Sequence, residues 1–252
     1  MDKRKNANTS VVGSVSKPGP DELVKFLTKW NVRQWPEIWC QIEKGALPLD
    51  FPQAVIEHRN PFEILTGYER LLRWHEGWPR FWRAFGFLYD HEALVLPEYR
   101  EGFGWSIVTP PFGEWSASRL LHEVCGRMFP TLQFYSDEKI NKVTSFQELI
   151  DTHVVLVRDT VEADECHKGK SVEFIEQNKI PAITLRQREV LEARYYFETG
   201  GHLDVVNFTL CCGSRYSGGD VPHAYWRGGK FHVGRVHPAD EDGHWRVREL
   251  SL

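Results

Sequence analysis

Asn207-Phe208-Thr209-Leu210-Cys211-Cys212, Val221-Pro222-His223-Ala224-Tyr225-Trp226 and Phe231-His232-Val233-Gly234-Arg235-Val236 are the runs that decide the fold. The last two are joined by Arg227-Gly228-Gly229-Lys230. Paired glycines adopt the positive φ of a two-residue hairpin turn, so this spacing predicts an antiparallel meander. Trp245-Arg246-Val247-Arg248-Glu249-Leu250 alternates large apolar with charged residues, which predicts one more strand with one dry and one wet face. Among these strands stand Tyr216, Gly218, Asp220, His223, Tyr225, Arg227, His232, Gly234, His237 and His244. Aromatic rings, imidazoles and an arginine in such density suit a binding face better than a solubilising one.

Further residues carry a resemblance. Arg158-Asp159, Glu162-Ala163-Asp164-Glu165, Ile183-Thr184-Leu185, Glu198-Thr199-Gly200, His202-Leu203-Asp204, Thr209-Leu210-Cys211, Gly213-Ser214-Arg215, Val221-Pro222 and Tyr225-Trp226 occur together here. This pattern resembles the variable proteins of diversity-generating retroelements, over roughly residues 96–252 and best after residue 150. The resemblance implies a C-type lectin-type α+β domain and a ligand binder whose surface is rewritten by adenine-directed errors of reverse transcription. It departs at Arg235, where the family pattern has Trp, and at Val247-Arg248-Glu249-Leu250. A diverged homologue that is no longer diversified is the alternative.

Codon chemistry gives this a partial check. Randomising both adenines of AAC or AAT cannot yield Lys, Glu, Gln, Met or Trp. Tyr216, Gly218, Asp220, His223, Arg227, His232 and Gly234 all pass, while Trp226, Lys230 and Trp245 do not. Val221 and Val233 join these as expected scaffold between displayed positions.

The rest of the chain supports that domain. Its 252 residues suffice for a large core or two small ones. We divide them into a polar leader (1–20), an α-helical Trp-rich subdomain (21–95), an α/β connecting segment (96–149) and the lectin-like domain (150–252). Trp35-Pro36-x-x-Trp39 returns as Trp78-Pro79-x-x-Trp82, where Pro opens a helix and Trp follows one turn on. Core packing is favoured over an exposed aromatic platform, because Trp is mostly buried. Glu69–His75 and Ser116–Met128 are predicted helices, and Ala93–Leu96 and Trp105–Val108 predicted short strands. His153–Val157 is the clearest strand, and the lectin-type resemblance implies Trp245–Leu250 as its partner. Glu162-Ala163-Asp164-Glu165-Cys166-His167 reads as a solvated helix start with carboxylates at the favourable end of the dipole. Thr184-x-x-Gln187 is a capping box, and Gly200-Gly201 stops the helix it opens, which is expected to pack behind the sheet.

Composition narrows the function. A net charge of −4, from 31 basic and 35 acidic residues, gives no electrostatic case for nucleic acid or a membrane surface. No apolar run spans a bilayer, and Met1–Lys17 lacks a secretory apolar core, so a cytoplasmic location is expected. Five cysteines, Cys40, Cys125, Cys166, Cys211 and Cys212, show no paired spacing, so free thiols are expected. The reading is a non-enzymatic binder of an unknown ligand, most plausibly a protein, with no cofactor and no metal. Its competitors are a zinc site from His202, His223, His232, His237, His244, Cys211 and Cys212, a Cys-dependent enzyme on a formylglycine-generating-enzyme-like fold, and a structural assembly subunit.

Overall fold

A computed structural model describes residues 66–111, 113–141, 143–145 and 151–252. The leader, the helices expected over 21–65, the Trp35/Trp39 pair and Cys40 lie outside the described residues. Thr66 opens α1 (Gly67–Glu76) with a capping box, its hydroxyl accepting from the Glu69 N–H while the Glu69 carboxylate reaches back. Gly77 ends α1, and Pro79 lies in the first turn of α2 (Trp78–Ala84). α2 packs Trp78, Phe81 and Trp82 fully into the core, and α1 buries Leu71.

Trp74 of α1 and Trp78 and Trp82 of α2 each spend their indole N–H on β1 (Trp105–Thr109). Trp74 donates to the Ser106 carbonyl at 2.8 Å, Trp78 to the same oxygen at 3.1 Å, and Trp82 to the Val108 carbonyl at 3.0 Å. Alternate residues of a strand point their backbone groups the same way, so all three bonds meet one edge of β1. The expected strand over Ala93–Leu96 does not form. Val95 is left exposed, and Leu96 instead packs on a small cluster of Leu71, Phe103 and Leu156.

A helical run, α3, follows: Ala117–Arg119 capped by Ser116, a π-helical stretch Leu120–Cys125, and Gly126–Met128. Beyond it come β2 (Thr131–Gln133), α4 (Asp137–Asn141), β3 (Thr144–Ser145), β4 (His153–Val157) and a 3-10 turn Glu165–His167. Next are α5 (Val172–Gln177), α6 (Leu185–Thr199), β5 (Phe208–Leu210) and β6 (Ser214–Arg215). The chain closes with β7 (Val221–Arg227), β8 (Lys230–Val236) and β9 (Trp245–Val247).

The architecture is mixed α+β, with helices leading and a sheet-rich C-terminal part. Its main sheet runs β2-β8-β7-β5-β9, beside the pairs β1-β4 and β3-β6. The β7–β8 hairpin has the expected register, Arg227 opposite Lys230, with Gly228 at φ 59 and Gly229 at φ 74. Both outer strands depart from a simple meander. β2 is parallel to β8, and β9 is parallel to β5.

The expected partner of β4 is overturned as well. β4 takes β1 as its antiparallel partner, Ile107 opposite Val155, and among the described residues it meets the chain end through a Leu156–Ser251 bridge. The last strand breaks after Val247 because Arg248 is drawn inward. Its guanidinium donates to the Thr160 and Val161 carbonyls at 2.9 and 2.7 Å and to Asp204 at 2.8 Å.

Helix α6 has both predicted ends, a Thr184/Gln187 capping box and Gly200 at φ 69. It packs against β1, α3 and β7, and every residue from Leu185 to Arg194 is buried, charged ones included. Burying charge requires internal partners. Arg186 donates to the Trp115 and Pro110 carbonyls at 2.8 and 2.7 Å. Arg188 donates to Glu192 at 2.8 Å and to Asp204 at 2.9 Å. Asp204, fully buried, also accepts the Ala163 N–H at 2.8 Å and the Thr209 hydroxyl. Burial alone would raise the Asp204 carboxyl; Arg248, Arg188 and the Thr209 hydroxyl outweigh it and hold the group below its usual range.

Trp78, Val157, Leu191 and Phe231 share one apolar core, so helices, β1-β4 and main sheet are continuous in packing. Asp204→Ala leaves two buried guanidiniums without their shared partner. Denaturant unfolding should show a loss of about 3–5 kcal/mol.

Candidate binding face

Side chains alternate across a sheet, and the two sides of this one differ. Thr209, Cys211, Ala224, Phe231 and Val233 are buried on the side of α6. On the other side, Val172 and Ile175 of α5 cover Leu210, Val221, Val236 and Val247. The remainder of that second side keeps solvent access. It carries Phe208, His223, Tyr225, Arg227, His232 and, from β2 and the residue beyond it, Leu132 and Phe134.

These rings form a row across four strands. Phe134, 55% exposed, lies 5.9 Å from His232, which stacks on Tyr225 at 4.8 Å. Tyr225 stacks on Phe208 at 4.0 Å, and Phe208 on His223 at 5.9 Å. The Arg227 guanidinium sits 5.1 Å from the Phe208 ring centre and 5.8 Å from that of Tyr225, within cation–π range. His244 flanks Phe208 at 6.4 Å.

Gly234 is required by close approach. A Cβ there would stand 2.7 Å from His223 Nε2 and 2.9 Å from its Cε1. The edge of the imidazole therefore occupies the space a side chain at position 234 would need. Burial, reinforced by the neighbouring His232, pulls the His223 pKa down to about 4, so the ring is neutral at physiological pH. His232 Nε2 pairs with the Arg227 carbonyl at 2.9 Å as donor. Among the described residues, Nδ1 of His223 and Nδ1 of His232 are both buried without a partner. The row thus presents mutually stacked aromatic rings and one cation.

Not every candidate from the sequence joins it. Tyr216 is a correction: it is buried in the main core, 5.7 Å from the Tyr135 ring, rather than displayed. Asp220 pairs with Arg235 at 2.6 Å, and Arg235 alternates to the other side of β8 from His232. Gly218 and His237 are exposed in loops after β6 and β8. Tyr225 is on the row but deeply set, its faces occupied by Phe208 and His232.

Phe208, Leu132 and Phe134 were missed as face residues. Phe208 reads as scaffold within Phe208–Cys212, yet it shares parity with Leu210 on the outward side. Thr131-Leu132-Gln133-Phe134 does alternate, and that period-2 signal was available.

The catalytic and zinc alternatives find no geometry here. Cys211 and Cys212 are free, buried thiols; burial pushes Cys211 well up and Cys212 up to about 12, leaving little thiolate for nucleophilic attack. His202 stacks on Trp226 on the α6 side of the sheet. Among the described residues, no ligand cluster is drawn from the seven His and Cys candidates. Also among these residues, no helix is long and apolar enough to cross a membrane. Comparison with protein-family models, with curated proteins and with solved structures finds no match.

Two outcomes follow from this geometry. Gly234→Ala should cost about 1–3 kcal/mol, the usual penalty of overpacking. Much of that loss should be absent when Gly234→Ala is measured in a His223→Ala background by denaturant unfolding. The depressed His223 pKa makes the unfolded chain bind more protons between 6.5 and about 4, so this group's stabilisation is complete above 6.5 and lost as pH falls through that window. Replacing it by His223→Gln should make the unfolding free energy fall less steeply over the window than in wild type.

Proposed function

We propose that the chain is a ligand-binding protein whose open half-sheet captures a protein partner. The observation that carries this reading is the ring row Phe134–His232–Tyr225–Phe208–His223 edged by Arg227. A shallow, rigid, aromatic surface with a cation suits a protein interface, whereas small molecules favour concave pockets.

We further read the domain as C-type lectin-type and its face as the product of a diversity-generating retroelement. The sequence resemblance supports this, as does the start of β8, where exposed Lys230 and half-buried His232 alternate with buried Phe231 and Val233. On this reading the freely variable set is narrower than codon chemistry allows. Arg227, His232 and His244 can change without disturbing the core, whereas Tyr216 is buried and Gly234 is held by His223.

Two measurements test these points. Deep sequencing of the gene segment that encodes residues 207–252 across a growing host population should place substitutions at the codons of Arg227, His232 and His244, with Trp226 and Trp245 fixed; uniformly sparse variation would remove active diversification. A photo-crosslinking residue at position 227 should yield a discrete protein adduct in the host, and one at Arg83, on α2, should not. Equal labelling from both positions would sink the binding face.

A further inference from the structure

Away from the open face, the turn after β4 and the chain end together gather four side chains of three donor types. Asp164 precedes the 3-10 turn Glu165–His167, and the chain end brings Glu249 beside it. One donor atom from each of Asp164, Cys166, His167 and Glu249 lies within 4.8 Å of the others. The expected solvated helix start is corrected at this point. Asp164 is only 3% exposed and His167 8%, while Cys166 is open to solvent.

The ordinary interpretation is an ion-pair network around Arg158. Its guanidinium donates to Asp164 Oδ2 at 2.5 Å and to Glu249 Oε2 at 2.9 Å. Arg100 takes Glu249 Oε1 at 2.7 Å, and the Glu249 N–H takes Asp164 Oδ2 at 2.8 Å. That network leaves two atoms unspent. Asp164 Oδ1 and His167 Nε2 are buried without a hydrogen-bond partner among the described residues. His167 Nε2 points into the cluster, 3.4 Å from Glu249 Oε2. Leaving a carboxylate oxygen and an imidazole nitrogen unpaired in the interior is costly, and a bound cation would satisfy both.

We infer that Asp164, Cys166, His167 and Glu249 form a binding site for one divalent transition-metal ion of the zinc class. Thiolate and imidazole donors select a borderline-soft ion over calcium or magnesium, and one sulfur, one nitrogen and two oxygens make a four-coordinate set. On binding, Cys166 releases its thiol proton to solvent. The resulting thiolate and two carboxylates then face the ion together with Arg158 and Arg100, within one charge of neutrality. Exposed Cys166 marks the side of entry. Because Glu249 also bridges to Ala182, the ion would fasten the last residues of the chain to the turn after β4.

Cobalt(II) titration of the chelator-stripped full chain tests this site. One equivalent should bind with tetrahedral d–d absorption and a thiolate-to-cobalt charge-transfer band, both displaced by zinc. Cys166→Ser should abolish the charge-transfer band, whereas Cys212→Ser should leave it intact. His167→Gln should weaken zinc binding by more than the roughly 10- to 100-fold that loss of an outer-shell partner causes, with the metal-free melting temperature little changed. Absence of stoichiometric cobalt binding, or a charge-transfer band that survives Cys166→Ser, would overturn the assignment.

Discussion

Asp204 is the constraint on which the described fold depends. Its carboxylate holds Arg188 of α6 and Arg248 of the chain end, both fully buried, and accepts the Ala163 N–H and the Thr209 hydroxyl. Its own carbonyl takes the Trp226 N–H of β7 at 3.1 Å. Central helix, final segment, post-β4 turn and main sheet thus meet at one residue. Ion pairs in a low-dielectric interior repay their desolvation only when every donor and acceptor is placed well. That demand fixes relative positions more sharply than apolar packing, which tolerates sliding.

The same network explains what the sequence concealed. Local signals were legible: Thr184 and Gln187 announce the start of α6, the Gly228-Gly229 pair announces the hairpin, and Trp78-Pro79 announces α2. Pairing between distant strands was not. β4 and the Trp245–Leu250 run each read as a good strand, but neither carries a mark of its partner; the burial of Arg248 is what turns the chain end away. Nothing in the local pattern marks Arg188 and Arg194 of α6 as interior; their partners Asp204 and the Trp74 carbonyl come from distant parts of the chain. Tyr216 shows the reverse case, a residue typical of interfaces that went into the core. The candidate face was legible through His223, Tyr225, Arg227 and His232 because strand parity places them together, whereas Leu132 and Phe134 reach it through a parallel pairing that no local pattern announces.

The main sheet separates two tasks by parity. Residues turned toward α6 are committed to packing; those turned outward beyond the reach of α5 are not. Trp226 and Arg227 are neighbours in sequence, yet the first stacks on His202 near the end of α6 and the second lies over rings in the open row. Change on one side therefore leaves the other little disturbed, as a recognition surface on a fixed frame requires. Gly234 is the exception, since its missing side chain is what makes room for the edge of the His223 ring.

The indoles on β1 have a further meaning. A two-stranded sheet presents unpaired backbone groups along its outer margins, and such margins invite strands from other molecules to dock and grow into aggregates. On β1 the carbonyls of Ser106 and Val108 are already taken by Trp74, Trp78 and Trp82. A side-chain donor satisfies a carbonyl but offers nothing for another chain to continue from. The tryptophans that fill the core therefore also blunt this margin, giving protection against intermolecular strand addition without a third strand.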